Sequence, residues 1–431
     1  MDTRVVVTVR GIATGGAGVA DLPDGRVVFI PRTAPGDRAS IRIDKSRPRW
    51  AEGSLCELIE PAAERRAALC ALYDRCGGCQ LQHLPYERQL EWKGRMVVDA
   101  LTRIGRLERV DAQEVVASPR ETGYRSRVTF TLRRLRGGHL VAGFHALDRP
   151  AHVIDVAGEC VLPRPELVEV WKAMRSRWGQ GAALLPAGGR LRLTLRAVEG
   201  GVALVVEGGP VQWCADELAA AVPELDTIWH LPAASEGAAR LVAGSDHDAA
   251  TPAFTQVNTE AATLLVEYVL DLAGPAGGAE QTDRTDRARH AVDAYCGDGA
   301  YARGLVESGW RVTGIEMDPA ACAAARARAE ARRLEGFRIL QGSVEDRLEE
   351  ALPAELLIVN PPRAGLDEEV VRAIAEQRPP RVIYVSCDPA TLARDVAGLS
   401  RAYEPASLRC FDLFPQTAHV EAVLALTSRV G

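Results

Sequence analysis

No apolar stretch in this 431-residue chain is long enough to cross a bilayer. Its opening residues, MDTRVVVTVRG, show neither an apolar h-region nor a small-residue cleavage site, so nothing in them asks for export and the expected location is the cytoplasm. Excess positive charge is missing too: 52 Lys and Arg stand against 58 Asp and Glu, a formal net charge of −6. That balance argues against a protein that coats nucleic acid nonspecifically, while leaving room for a local basic surface. Aromatics are sparse at 5%, but 47% apolar and 26% charged residues make an ordinary globular composition. The 10 cysteines, in a chain expected in a reducing compartment, point to metal or catalytic use rather than to disulfides. The length suits two or three domains.

Three textures follow one another. Residues 1–60 read as short strands (VVVTVRGIA, GRVVFIP, RASIRID, SLCELIE) broken at Asp24-Gly25 and Pro35-Gly36-Asp37, the pattern of a small barrel of the oligonucleotide-binding type. Residues 61–250 mix a helical stretch after the cysteines at 70–79, a hairpin over 124–145 turning at Gly137-Gly138, a helix around PELVEVWKAMRSRW, and a second hairpin turning at Glu199-Gly200-Gly201. This is an α+β middle domain. In residues 251–431 a helix (NTEAATLLVEYVLDLA) and a polar, Gly-rich loop over 274–290 precede alternating buried strands and helices, which predict a doubly wound α/β domain with a largely parallel sheet.

Open sheets of this kind bind ligands beyond the carboxyl ends of their strands. There HAVDAYC runs into Cys296-Gly297-Asp298-Gly299, a glycine turn that lets backbone N–H groups approach a ligand. The next strand ends at Glu316, 19 residues after Gly297, where a carboxylate can accept from ribose hydroxyls. The third glycine of a dinucleotide site is absent, so an adenosine-bearing methyl donor without a pyrophosphate is favoured over NAD. A tight βα turn beside a surface glutamate would look the same. Asn360-Pro361-Pro362-Arg363 follows another strand, its prolines holding Asn360 towards the cleft or forming a rigid helix lead-in. Cys387 ends the strand RVIYVSC before Asp388-Pro389, where a helix N-terminus favours a thiolate; a small core residue is the plain alternative. Downstream, Glu421 opens the last strand after Thr417 and His419. A thiolate and a carboxylate in one cleft suit nucleophilic addition followed by proton abstraction, with His419 as the rival base.

Two further clusters stand out. Cys70-x5-Cys76-Gly-Gly-Cys79 needs a cation, but zinc sites usually bring two Cys-x2-Cys knuckles and only one is present; Cys160 is the best-placed fourth ligand. Cys56, Cys214, Cys322 and Cys410 read as packing residues and Cys296 as part of the glycine turn. Arg125, Arg127, Arg133, Arg134 and Arg136 crowd the 124–145 hairpin beside Tyr124, suiting RNA phosphates and unstacked bases or simply a solvated strand face.

Asn-Pro-Pro-Arg, Ser-Cys-Asp-Pro-Ala-Thr-Leu-Ala-Arg-Asp (386–395), Phe-Pro-x-Thr-x-His-Val-Glu (414–421) and Phe254-Thr255-Gln256-Val257-Asn258 together resemble the RNA uracil-5-methyltransferase family over nearly the whole chain. The resemblance implies a class I methyltransferase fold for the last domain and S-adenosylmethionine bound by Gln256, Tyr295, Glu316 and Asn360. It implies Cys387 as the nucleophile that adds to uracil C6 and Glu421 as the base that removes the C5 proton. The N-terminal segment resembles the TRAM barrel, and Cys70, Cys76, Cys79 and Cys160 resemble the ligands of a [4Fe–4S] cluster in one subfamily. Members with both features mostly resemble ribosomal RNA enzymes, so 23S rRNA is the expected partner ahead of the tRNA T-loop, for a monomer without a membrane. A noncatalytic RNA-binding iron–sulfur protein is the rival of another class. Two positions depart from the pattern: Asn360 often corresponds to Asp, and Ala300 to an asparagine that contacts the cofactor. Ser343 could approach the adenine end.

Overall fold

The computed structural model describes residues 4–108, 110, 112–233, 239–244, 256–276 and 289–429. The Gly-rich stretch 277–288 and the Phe254-Thr255 part of the motif at 254–258 lie outside them. The chain divides into two units: Met1–Tyr86 with Arg120–Thr259 and Pro415–Ala418, and Glu87–Pro119 with Glu260–Phe414 and His419–Gly431.

In the first unit, alternating apolar residues set the first strands on edge around a small core. Strands β1 (Arg4–Ile12), β2 (Gly18–Asp21), β3 (Val27–Ile30), β4 (Arg38–Ser46) and β5 (Trp50–Glu60) close into a barrel in the order β1-β2-β3-β5-β4. Val7, Val9, Val28, Ile30 and Ile41 fill it, and closure leaves no free strand edge. Helix α1 (Tyr86–Arg103) comes next and lies, but for its first residue, in the second unit. The first unit resumes with β6 (Arg127–Arg134), β7 (Leu140–His145), β8 (Val153–Asp155), α2 (Pro165–Arg177), β9 (Arg190–Val198), β10 (Gly201–Glu207), α3 (Ala215–Ala221), β11 (Leu225–Leu231) and β12 (Arg240–Gly244). Its seven strands run β12-β11-β10-β9-β6-β7-β8, antiparallel except for β10 against β11. Both predicted hairpins are present, as β6–β7 and β9–β10. The apolar stripe of α2 (Leu167, Val170, Trp171, Met174) is buried. Trp171 stacks on Phe130 with ring centroids 3.7 Å apart, and its indole N–H donates to the Val156 carbonyl at 2.7 Å, so the ring's polar edge is satisfied where its face is packed.

The second unit continues from α1 with α4 (Thr259–Ala273), β13 (His290–Ala294), α5 (Ala300–Glu307), β14 (Arg311–Glu316), α6 (Pro319–Ala331), β15 (Phe337–Gln341), α7 (Val344–Ala351), β16 (Leu356–Val359), α8 (Glu368–Gln377), β17 (Arg381–Ser386), α9 (Pro389–Leu399), β18 (Tyr403–Phe411) and β19 (Glu421–Ser428). The sheet order is β15-β14-β13-β16-β17-β19-β18. Its first five strands are parallel, and β19 is antiparallel to both β17 and β18. Every residue of β16 is buried, as expected for a strand covered on both faces. This topology sets the carboxyl ends of β13, β14, β16 and β17 along one edge. Because Ser386 pairs with Ala422, the reversed β19 begins at that same edge. The buried Lys93 ammonium of α1 lies 2.6 Å from the buried Asp412 carboxylate and donates to the Phe414 carbonyl at 3.1 Å, fixing the chain just after β18.

Candidate active site

At the end of β13 the backbone turns through left-handed conformations at Tyr295 (φ 61°), Gly297 (φ 55°) and Gly299 (φ 79°). Only glycine adopts these freely, so Tyr295 is held there by its surroundings. A Cβ built on Gly297 would meet no atom within 4 Å: the turn faces open space. The Gly297 N–H donates to Glu316 Oε2 at 2.9 Å and the Asp318 N–H to Oε1 at 2.8 Å. Each carboxylate oxygen is thus aimed by one backbone donor and keeps capacity for another. Asn360 follows β16, its N–H reaching the Ala294 carbonyl at 3.4 Å, and the Tyr295 hydroxyl reaches Glu345 at 3.4 Å. An open glycine turn beside a pre-aimed acid fits an adenosine ligand. Tyr295, Glu316 and Asn360 gather in the second unit; Gln256 belongs to the first, its carbonyl accepting from Ser126 Oγ at 3.3 Å. Ser343 is otherwise engaged: its hydroxyl accepts from the Asp346 N–H at 3.2 Å and donates to the Asp346 carboxylate at 2.8 Å, capping α7. One residue the sequence reasoning missed is Asp293, fully buried under this turn. It accepts from the Ala302 N–H at 3.0 Å, and burial pushes its carboxyl up to about 7.

Cys387 follows β17 and is half-buried. The helix behind it does not serve the thiol as expected: the Asp388 carboxylate takes the N–H groups of Ala390 (2.9 Å) and Thr391 (3.1 Å), so the N-terminus of α9 is spent on its own cap. Burial pushes the Cys387 thiol above its ordinary value, the Glu421 carboxylate pushes it further, and Arg363 opposes both. Glu421, the first residue of β19, is buried, and no described residue donates a hydrogen bond to its carboxylate. Burial pushes it up to about 8, against the pull of Arg363. A buried carboxyl held near neutrality beside a thiol is the arrangement expected of a working base. His419 presents Nε2 to the Arg363 guanidinium at 3.5 Å and packs edge-on against Phe414. In the first unit, Pro415–Ala418 are held through the Gln416 carbonyl, which accepts from the N–H groups of Gln80 (3.1 Å) and Leu81 (3.0 Å).

Cys70, Cys76, Cys79 and Cys160 all line one cavity of about 420 Å³ in the first unit, with Arg125, Tyr73 and Phe144 in its wall. Burial pushes the Cys79 thiol up to about 11 and that of Cys160 up to about 12, and raises Cys70 as well. Among the described residues no three His, Cys, Asp or Glu side chains close tightly enough for a single metal ion. Arg32, at the end of β3, donates to the carbonyls of Tyr73 (2.7 Å) and Cys76 (2.7 Å) and so braces this loop. Of the pair expected to contact RNA, Tyr124 and Arg125, the structure buries the first and sets the second in a cavity wall. Tyr124 is buried, its hydroxyl donating to the Pro415 carbonyl at 3.1 Å, and Arg125 lines the cysteine cavity. Arg134 spends its guanidinium on carbonyls of Gly181, Ala182, Pro186 and Gly188. Only Arg136 of the five is exposed.

A doubly wound sheet with a glycine turn and a strand-end acid along one edge is an α/β methyltransferase fold. Residues 246–429 match the tRNA (uracil-5-)-methyltransferase family and residues 3–56 the TRAM domain. The chain is 32% identical to an uncharacterised RNA methyltransferase of Thermosynechococcus vestitus, over 98% of each chain. It is 30% identical to one of Halalkalibacterium halodurans, over 98% of this chain and 96% of that one. In fold it resembles the Pyrococcus abyssi tRNA (uracil-54, C5)-methyltransferase in complex with S-adenosyl-L-homocysteine, with a TM-score of 0.69 and 24% identity over 99% of this chain and 100% of that one. The chain therefore belongs to the tRNA (uracil-5-)-methyltransferase family, and it is an S-adenosylmethionine-dependent RNA (uracil-5-)-methyltransferase with a TRAM domain. No described helix is long and apolar enough to cross a membrane.

Proposed function

We propose that the enzyme methylates C5 of a specific uridine in 23S rRNA by a covalent route, with Cys387 as nucleophile and Glu421 as base. The observation that carries the reading is the meeting of Cys387 and Glu421 at one edge of adjacent strands β17 and β19, where the Glu421 carboxylate acts electrostatically on the Cys387 thiol. Uracil C5 is a weak nucleophile until sulfur adds at C6 and breaks the ring's conjugation. While the sulfur is a thiolate, its charge helps keep Glu421 protonated. Formation of the carbon–sulfur bond moves that charge from sulfur onto the uracil ring, and it is gone once C5 carries the methyl group, so the carboxylate ionises most easily when the C5 proton is due to leave. Glu421 then takes the C5 proton and the thiolate leaves. S-adenosylmethionine, when bound, supplies the electrophilic methyl group, and Gln256, Tyr295, Glu316 and Asn360 are the residues that would hold it. The target base must leave its stack to present C6 to the sulfur.

In this reading residues 1–60 and 61–250 grip RNA and residues 251–431 carry the chemistry, in a cytoplasmic monomer. Cys70, Cys76, Cys79 and Cys160 would hold a [4Fe–4S] cluster that staples the loop at 70–79 to the segment around Cys160; the shared cavity supports that assignment. The barrel combined with the cysteine set favours ribosomal over transfer RNA. Nucleoside mapping of both RNAs from a strain lacking the protein tests the target: one 5-methyluridine missing from 23S rRNA is expected, and its loss from the tRNA T-loop alone would contradict the assignment.

A further inference from the structure

Arg363 stands three residues beyond β16, on the edge that also carries Cys387 and Glu421. Its backbone is held from both sides. The Pro362 carbonyl accepts from the Gly365 N–H at 2.8 Å, closing a tight turn around it. Arg394 donates to the carbonyls of Ala364 (2.9 Å) and Leu366 (3.0 Å), and the Leu366 N–H donates to Asp395 at 2.8 Å. Asp395 is itself fixed by the Tyr384 hydroxyl at 2.6 Å and by Arg394 Nε at 2.7 Å. Gly365 sits at φ 79°, and a Cβ there would come within 2.6 Å of both Arg394 and Asp395. The backbone that carries the exposed Arg363 is thus fixed on the buried Asp395 and on Arg394. Among the described residues no carboxylate forms an ion pair with Arg363; its neighbour is the His419 ring. The guanidinium is nevertheless close enough to influence both Cys387 and Glu421.

We infer that Arg363 is a catalytic residue that neutralises the charge arriving on uracil O4 when Cys387 adds at C6. The inference rests on the covalent reading above. The thiolate pair forms the S–C6 bond, the C5=C6 π pair moves between C5 and C4, and the C4=O4 π pair ends on oxygen. That enolate oxygen needs a cationic donor that does not itself give up a proton, which is what a guanidinium provides. A donor held in place before the charge develops is worth more than one that must be reoriented, and removing such a donor typically costs about 10²–10³ in rate. The competing role for Arg363 is only to ease ionisation of the thiol, and pH separates the two.

The test uses total RNA from a strain lacking the protein, labelled with [5-³H]uridine, and follows tritium release from C5 without methyl donor, from pH 6.5 to 10. Reversible addition lets the enolate take up a solvent proton at C5 and then give up its tritium to the base as the thiolate leaves, so release requires the enolate step. Arg363→Gln is expected to slow release about 10²–10³-fold and to stay slow at high pH when the two proteins are compared at equal thiolate fraction, read from the pH dependence of Cys387 alkylation, with Arg363→Lys recovering part of the rate. RNA retention on filters should stay within about 3-fold of wild type, less than 1 kcal/mol. A deficit that vanishes at high pH, or an equal loss in RNA retention, would overturn the catalytic role. Cys387→Ala run alongside should release no tritium; if it does, the covalent reading itself falls.

Discussion

Replacing Glu421 by Gln should stabilise the protein while destroying its activity, because the carboxyl is kept in a place that suits catalysis better than folding. Glu421 is 8% exposed, and burial raises it from an ordinary 4.5 to about 8. At 1.36 kcal/mol per factor of ten, that corresponds to at most about 5 kcal/mol of disfavoured ionisation, which entering water and local relaxation would reduce to about 2–3 kcal/mol. The sign follows from proton counting. Between about pH 4.5 and 8 the folded chain holds a proton that the unfolded chain has released, so stability falls as pH rises through that window. Glutamine carries no such dependence. Urea unfolding of both proteins at pH 5, 7 and 9 should show near parity at pH 5 and a variant more stable by about 2–3 kcal/mol at pH 9. Wild-type kcat/KM should climb with pH through 8 and beyond, since both the Glu421 base and the Cys387 thiol must be ionised, while the variant stays inactive throughout. A stability difference that does not change with pH would refute the reasoning.

Lys93→Met leaves the Asp412 carboxylate buried without its cation, which should destabilise the protein by about 3–5 kcal/mol in urea unfolding; Lys93→Met with Asp412→Leu should recover most of that, and equal losses in both would contradict the pairing. Gly365→Ala forces a Cβ against Arg394 and Asp395 at φ 79°, so its thermal midpoint should fall by an amount equivalent to about 1–3 kcal/mol, with a drop in kcat larger than any change in KM. Protein purified without oxygen should be brown and hold about four irons per chain, and Cys160→Ser should lose both colour and iron; stoichiometric zinc without iron would reject the cluster.

The strands that position the site were legible because they are unbroken apolar runs: ELLIVN and RVIYVSC can only be covered on both faces, and the residues at their ends fall at the ligand edge. Cys387, Glu421, Glu316 and Asn360 could be placed there from order alone. What could not be read were side-chain engagements set by tertiary structure. Lys93 and Asp412 are 319 positions apart, and nothing local marks them as partners. Asp388 was read as the start of a helix favouring a thiolate, yet its own carboxylate takes the helix's free N–H groups. Tyr124 and Arg125 look like an RNA-facing pair, yet Tyr124 packs in a buried cluster with Tyr73 and Cys79 and Arg125 lines the cysteine cavity. Helix α7 carries five charged residues in eight, so its stripe of Val344, Leu348 and Ala351 was too thin to stand out before the core it packs against was known.

The central claim is that Cys387 forms a bond to uracil. Incubating the enzyme and S-adenosylmethionine with ribosomal RNA in which uridine is replaced by 5-fluorouridine should trap the adduct, since fluorine cannot be removed as a proton. Protease and nuclease digestion followed by mass spectrometry should find a methylated fluorouridine nucleotide on the peptide containing Cys387, and none in Cys387→Ala. An adduct on another residue, or full methyl transfer by Cys387→Ala, would contradict the account.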